Sequence, residues 1–182
     1  MKLDELRDEV SQHFKCYQDF PIPGVLFRDI MPLFSNPTLL DRLCQAIAEH
    51  YKGKIDVVAA LEARGFLFGP LVAIKLDVPF VPIRKKGKLP GPILVAKYQK
   101  EYGEDVVEMQ QEVLPKSENV RVLLLDDLLA TGGTLRAATE LLRLCKTVST
   151  IDVFVLAELT YLNGRDVQPN DSNVYSFIKF DS

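Results

Sequence analysis

The sequence predicts an α/β domain built on a mostly parallel, twisted sheet with helices on both faces. Two observations predict it. Near-continuous apolar runs at IDVVAAL (55–61), VRVLLLDD (120–127) and IDVFVLAEL (151–159) read as strands buried on both sides. NPTLLDRLCQAIAEHYKG, just before the first of them, and GTLRAATELLRLC, between the last two, have apolar residues that recur at helical spacing. Strands alternating with helices in this way give a parallel sheet with right-handed crossovers.

Taken in order, Leu3, Leu6, Val10 and Phe14 mark an opening amphipathic helix. FPIPGVLFRDIMP is Pro-rich and reads as an ordered loop with a strand fragment around 25–30. Asn36 caps the next helix, Pro37 fits its first turn, Leu39, Leu40, Leu43 and Ile47 form one face, and Gly53 ends it. After strand 55–61, a helix is expected over 65–76 with Pro70 near its start, then a short strand at 80–84. Residues 85–105 hold three glycines, two prolines and many charges, and read as a long irregular lid. Strands at 106–110 and 120–127, a helix at 133–145, a strand at 151–159 and an alternating edge strand at 174–180 complete the series.

The 182 residues suit one domain with a sizeable core. Net charge is −3, against a duplex-binding surface, so nucleic acid is not an expected partner. No segment approaches the roughly 18 apolar residues of a membrane span, and MKLDELRDEV has no secretory pattern, so neither membrane nor export is expected. Cys16, Cys44 and Cys145 lack metal-ligand spacing and read as idle thiols of a reducing, cytoplasmic protein.

The chemistry concentrates in VLLLDDLLATGGT. Asp126 and Asp127 close a buried strand, and Ala130, Thr131, Gly132, Gly133 and Thr134 lead into a helix. In open α/β sheets, ligands bind at the carboxyl ends of strands. Bare N–H groups and the dipole of a helix N-terminus favour a phosphate, and the two threonines add hydroxyl donors. Carboxylates beside a phosphate repel it, unless the ligand also carries hydroxyls for them to accept. A 5-phosphoribosyl group satisfies both. A lone DD or GG would merely end a strand and cap a turn; the combined order is more specific. The rival phosphate and dinucleotide cradles, GxxxxGK[ST] and GxGxxG, are absent.

VLLLDDLLATGGT resembles the phosphoribosyl pyrophosphate motif of the type I phosphoribosyltransferases. FPIPGVLFRDI, EARGFLFGP, IRKKGKLPGP, KEYG and ELTYLNGR are similar to the adenine-specific members of that family, in the expected order from about residue 18 to 166. The resemblance implies one phosphoribosyltransferase domain over 1–182, with a base-binding N-terminal hood at about 1–35 and a flexible lid at about 85–105. It implies transfer of the phosphoribosyl group from phosphoribosyl pyrophosphate to adenine, giving AMP and pyrophosphate in purine salvage. A homodimer is expected, with Mg²⁺ held mainly through the pyrophosphate substrate and water rather than by protein ligands.

Residue roles follow from the same resemblance. Glu62, Ala63 and Arg64 would bind pyrophosphate, with a cis peptide between Glu62 and Ala63; Arg64 is also a bidentate anion donor near the base. Lys88 would join them, and Arg84 would contribute there or at a neighbouring subunit's site. Phe27 would stack on the purine with Leu128 over its other face. The Leu26 carbonyl would accept from the adenine amino group and the Arg28 N–H would donate to a ring nitrogen. Glu101, beside Tyr102, would assist proton transfer, and Asp126 and Asp127 would favour the cationic ribose of the transition state.

The chain departs from the family pattern at EARG, where many members have DSRG or ESRG, so Ala63 contributes backbone only. The segment after GRDVQP carries no functional inference. Other bases, a non-catalytic regulator that senses the phosphoribosyl compound, and an inactive partner subunit stand as alternatives. GVLFRDI and KEYG speak against the first, and the intact Asp126, Asp127, Arg64, Lys88 and Glu101 set against the second.

Overall fold

The computed structural model describes residues 2–100 and 103–182. A 3-10 turn at Leu3–Leu6 leads into helix α1 (Arg7–Ser11), and Leu3, Leu6 and Val10 are buried as their spacing predicts. The helix stops at Ser11, and Phe14 packs on the core from beyond its end. Strand β1 (Lys15–Gln18), exposed throughout, pairs antiparallel with β2 (Leu26–Asp29), with Tyr17 opposite Phe27. These two strands form a small sheet of their own. A short helix α2 (Met31–Phe34) follows, where the sequence suggested loop.

Helix α3 (Pro37–Tyr51) is capped as expected: the Asn36 side chain accepts the Leu39 N–H at 3.1 Å. The predicted helix at 65–76 is divided. A 3-10 turn (Arg64–Leu67) meets helix α4 (Gly69–Leu76) at the fully buried Phe68, and Pro70 sits in the first turn of α4 where its missing N–H costs nothing.

Strand β3 (Val57–Leu61) is buried at every position. It lies beside β4 (Phe80–Lys85) and β7 (Val120–Leu129), parallel to both. Strands β8 (Val148–Leu159) and β9 (Ser172–Phe180) extend the parallel part. On the other side, β6 (Gly103–Gln110) pairs antiparallel with β4 and with β5 (Ile93–Lys100). The seven-stranded order is β5-β6-β4-β3-β7-β8-β9, so the alternating 174–180 segment is an edge strand. Residues 93–100 and 103–105 are therefore strand, not irregular chain. The sheet claims them because Leu94, Ala96 and Tyr98 alternate onto the core under helix α5 (Gly133–Arg143).

Side chains of the central strands divide between two cores. Val58, Ala60, Leu123 and Leu125 face α3, α4 and the N-terminal turns; Val57, Ala59, Leu61, Val122 and Leu124 face α5. Burial on both faces is why these strands read as unbroken apolar runs. No helix among the described residues is long and apolar enough to cross a membrane.

Candidate active site

The chain leaves β3 for β4 on one side and returns to β7 on the other, so the strand order reverses between β3 and β7. Their pairing ends with Ala60 opposite Leu125. Beyond it β7 continues against β8 alone, as far as Leu129 opposite Glu158. Asp126 and Asp127 are the first residues past this parting. They lie within the last stretch of β7, not at its end as the sequence suggested. The parting opens a cleft of about 360 Å³ lined by both loops that follow these strands. A switch point of this kind is the general place for a ligand in a parallel sheet.

One wall is Asp126, Asp127, Leu128, Ala130, Thr131, Gly132, Gly133 and Thr134. Gly132 has φ +83° and serves as N-cap of α5, so the first N–H groups of that helix have no partner within it. The loop is held from behind by backbone. A Cβ on Gly132 would lie 2.2 Å from the Gly164 carbonyl oxygen, and one on Gly164 would lie 2.0 Å from that of Ala130. Only glycine permits this approach.

The opposite wall is Glu62, Ala63 and Arg64. The Glu62–Ala63 peptide is cis, as the resemblance implied. Gly65 is pressed against β7, where a Cβ would stand 3.0 Å from the Leu125 carbonyl oxygen. The loop after β3 is thus in direct contact with β7. Arg64 crosses the cleft, with Nε 2.8 Å from Asp127 Oδ2, and its guanidinium lies 5.6 Å from the Phe27 ring centroid.

The carboxylates are strongly perturbed. Burial pushes the Asp126 carboxyl well above the usual carboxylate range, and the neighbouring Asp127 charge pushes it further. Burial also raises Asp127, with the Arg64 cation opposing. The two titrate as a pair. The Asp127 N–H donates to Asp126 Oδ1 at 3.0 Å, which fixes the first carboxylate. At Glu62 burial opposes the charge, but Arg84 and the Lys85 N–H outweigh it, donating to Oε2 at 3.0 and 3.1 Å, and hold this carboxyl below its usual range.

The residues expected to hold the base are less assembled. Leu128 lines the cleft; Leu26, Phe27 and Arg28 lie in β2, joined to it through the Arg64–Phe27 contact. Phe27 packs edge-on against Phe20 at 5.0 Å, and the Arg28 guanidinium lies over Phe180 at 4.2 Å. Arg84 and Lys88 do not line the cleft. Arg84 binds Glu62 of its own chain and donates to the Lys88 carbonyl at 3.3 Å, while Lys88 is exposed. Glu101 and Tyr102 lie outside the described residues. Lys85, Tyr98 and Leu135 also line the cleft. Lys85 was visible in the basic run 84–88, whereas Tyr98 depended on recognising β5.

Residues 33–179 match the phosphoribosyl transferase domain. The chain belongs to the phosphoribosyltransferase family. Curated relatives include adenine phosphoribosyltransferases: that of Caenorhabditis elegans is 54% identical, over 100% of this chain and 97% of its own. The adenine phosphoribosyltransferase of Saccharomyces cerevisiae, solved with an imino-altritol bisphosphate and adenine, superposes with TM-score 0.88 at 38% identity, covering 95% of this chain and 98% of its own. The Trypanosoma brucei adenine phosphoribosyl transferase, solved with AMP, pyrophosphate and ribose-5-phosphate, gives TM-score 0.85 at 28% identity, covering 96% and 79%.

Proposed function

We propose that this chain transfers the 5-phosphoribosyl group of phosphoribosyl pyrophosphate to adenine, releasing AMP and pyrophosphate. The observation that carries the reading is the single cleft where a carboxylate pair, a helix N-terminus and Arg64 converge. The 5-phosphate sits on the N–H groups and hydroxyls of the Ala130–Thr134 loop. Asp126 and Asp127 accept the ribose hydroxyls and favour positive charge developing on the ring. Arg64, with the backbone of Glu62 and Ala63, receives the pyrophosphate, and Lys85 faces it across the cleft. Lys88 comes from the turn after β4.

Adenine enters between Phe27 and Leu128, its edge read by backbone of Leu26 and Arg28. A purine nitrogen attacks the anomeric carbon as pyrophosphate leaves from the opposite face. Proton transfer at the base is assigned to Glu101, and the 85–105 segment acts as the lid that keeps water from the activated sugar. Much of the rate comes from holding the two substrates in line.

The oxygen donors of the cleft suit a hard cation that keeps its waters. Mg²⁺, carried on the substrate phosphates, would neutralise the leaving group, with Asp126 and Asp127 as the nearby carboxylates for its waters. Leu67 at the end of the 3-10 turn, with Leu71 and Ile74 of α4, presents exposed apolar surface, which suits a second copy of the chain. A cytoplasmic place in purine salvage completes the reading.

Base competition tests it. The protein is incubated with phosphoribosyl pyrophosphate, Mg²⁺ and equal adenine, hypoxanthine, guanine and orotate, and the nucleotides are separated. AMP alone is expected. Another nucleotide would leave the phosphate site standing and overturn the base assignment; no nucleotide from folded protein would favour a sensor or inactive subunit.

A further inference from the structure

The segment 164–168 touches the phosphate loop from behind, and its polar contacts are specific. Gln168 is 8% exposed. Its Nε2 donates to the Gly132 carbonyl at 2.9 Å and to the Gly164 carbonyl at 3.0 Å. The Gly132 carbonyl also accepts the Arg136 N–H at 3.0 Å, the first turn of α5. Two donors therefore hold one carbonyl from the protein side.

A peptide group is planar and, here, trans, so its N–H points opposite to its C=O. Pinning the Gly132 carbonyl fixes the direction of the Gly133 N–H, and Gly133 lines the cleft. That N–H belongs to the first turn of the helix and has no intrahelical partner. The support continues outward. Arg165 donates to both oxygens of Glu158 at 3.1 and 2.7 Å, to the Val174 carbonyl at 2.8 Å and to Ser176 Oγ at 2.9 Å. Strand β8 and the edge strand β9 thereby anchor the turn that Gln168 ends.

We infer that Gln168 is a positioning residue for phosphoribosyl binding: its side-chain amide aims the Gly133 N–H at the 5-phosphate. This rests on the reading of Ala130–Thr134 as the phosphate loop. The shape of Gln168 alone would fill the same space without this role. The distinction is testable with two substitutions of nearly the same shape. Gln168→Met removes the donor, and Gln168→Glu sets an acceptor against two carbonyls.

Steady-state kinetics and ribose 5-phosphate titration are read on the whole chain. The KM for phosphoribosyl pyrophosphate should rise about tenfold in Gln168→Met, the equivalent of about 1.4 kcal/mol of binding, and further in Gln168→Glu. The KM for adenine should stay within about twofold. Ribose 5-phosphate affinity should weaken in the same order. Equal shifts in both KM values, or ribose 5-phosphate affinity unchanged in both variants, would overturn the inference while the phosphate-loop reading stands. Wild-type protein that fails to bind ribose 5-phosphate would overturn that reading and the inference with it.

Discussion

The loop at Ala130–Thr134 and the strand Leu26–Asp29 are assigned to the two substrates, and they are built differently. The first follows β7 of the seven-stranded sheet and is locked backbone against backbone, Gly132 on Gly164, with Gln168 and Arg165 behind it. The second belongs to a two-stranded sheet whose outer strand is exposed throughout. Two-stranded ribbons are marginal alone. This one leans on the domain through side chains: Arg28 over Phe180, and Phe27 against Arg64. The end assigned to the phosphate is therefore fixed by the fold, while the end assigned to the base depends on a few side-chain contacts.

Breaking the rigid side should cost most. Gly132→Ala forces a Cβ to within 2.6 Å of Gln168 Nε2 and 2.2 Å of the Gly164 oxygen. Displacing the loop by about 1 Å should lower turnover by at least roughly a hundredfold, measured by AMP formation. Asp127→Asn comes next. It removes the partner of Arg64 without changing shape, and should lower kcat by roughly a hundredfold with the circular dichroism spectrum unchanged. Near-normal turnover would remove the carboxylate role. Arg165→Met should act on stability. It leaves the Glu158 carboxylate, 5% exposed, without its charged partner and should cost about 1–3 kcal/mol in denaturant unfolding.

A smaller effect sharpens the electrostatics. The Asp126 carboxyl is raised in the folded state, so between its unfolded and folded values the folded chain binds more protons than the unfolded chain. Stability from this group therefore falls as pH rises through that window and is restored as pH drops below it. Asp126→Asn should melt higher than wild type at neutral pH, and the difference should shrink on acidification. Comparing the two proteins isolates the Asp126–Asp127 pair from Asp56, Glu62 and Glu158, whose lowered values act in the opposite sense. The smallest effect on stability is expected at the exposed Lys88. Lys88→Ala should unfold within about 0.5 kcal/mol of wild type.

The same contrast governs what the sequence revealed. Asp126, Asp127 and the Thr131–Thr134 stretch were legible because strand, carboxylates, glycines and helix follow one another along the chain. The central strands were legible because burial on both faces leaves no polar interruption. The β5–β6 hairpin was hidden by its glycines, prolines and charges, although Leu94, Ala96 and Tyr98 alternate inward. Strand β1 carries no buried face to leave a pattern. Gln168 gave no signal at all: one amide in a polar turn becomes meaningful only when a loop 36 positions earlier folds against it.

The central claim is that the loops after β3 and β7 hold opposite ends of one substrate. Calorimetric titration of pyrophosphate and of ribose 5-phosphate, separately, into wild type, Arg64→Gln and Gly132→Ala tests it most directly. The account predicts crossed losses: Arg64→Gln weakens pyrophosphate and spares ribose 5-phosphate, and Gly132→Ala does the reverse. Loss of both ligands together in each variant, or of neither, would contradict it.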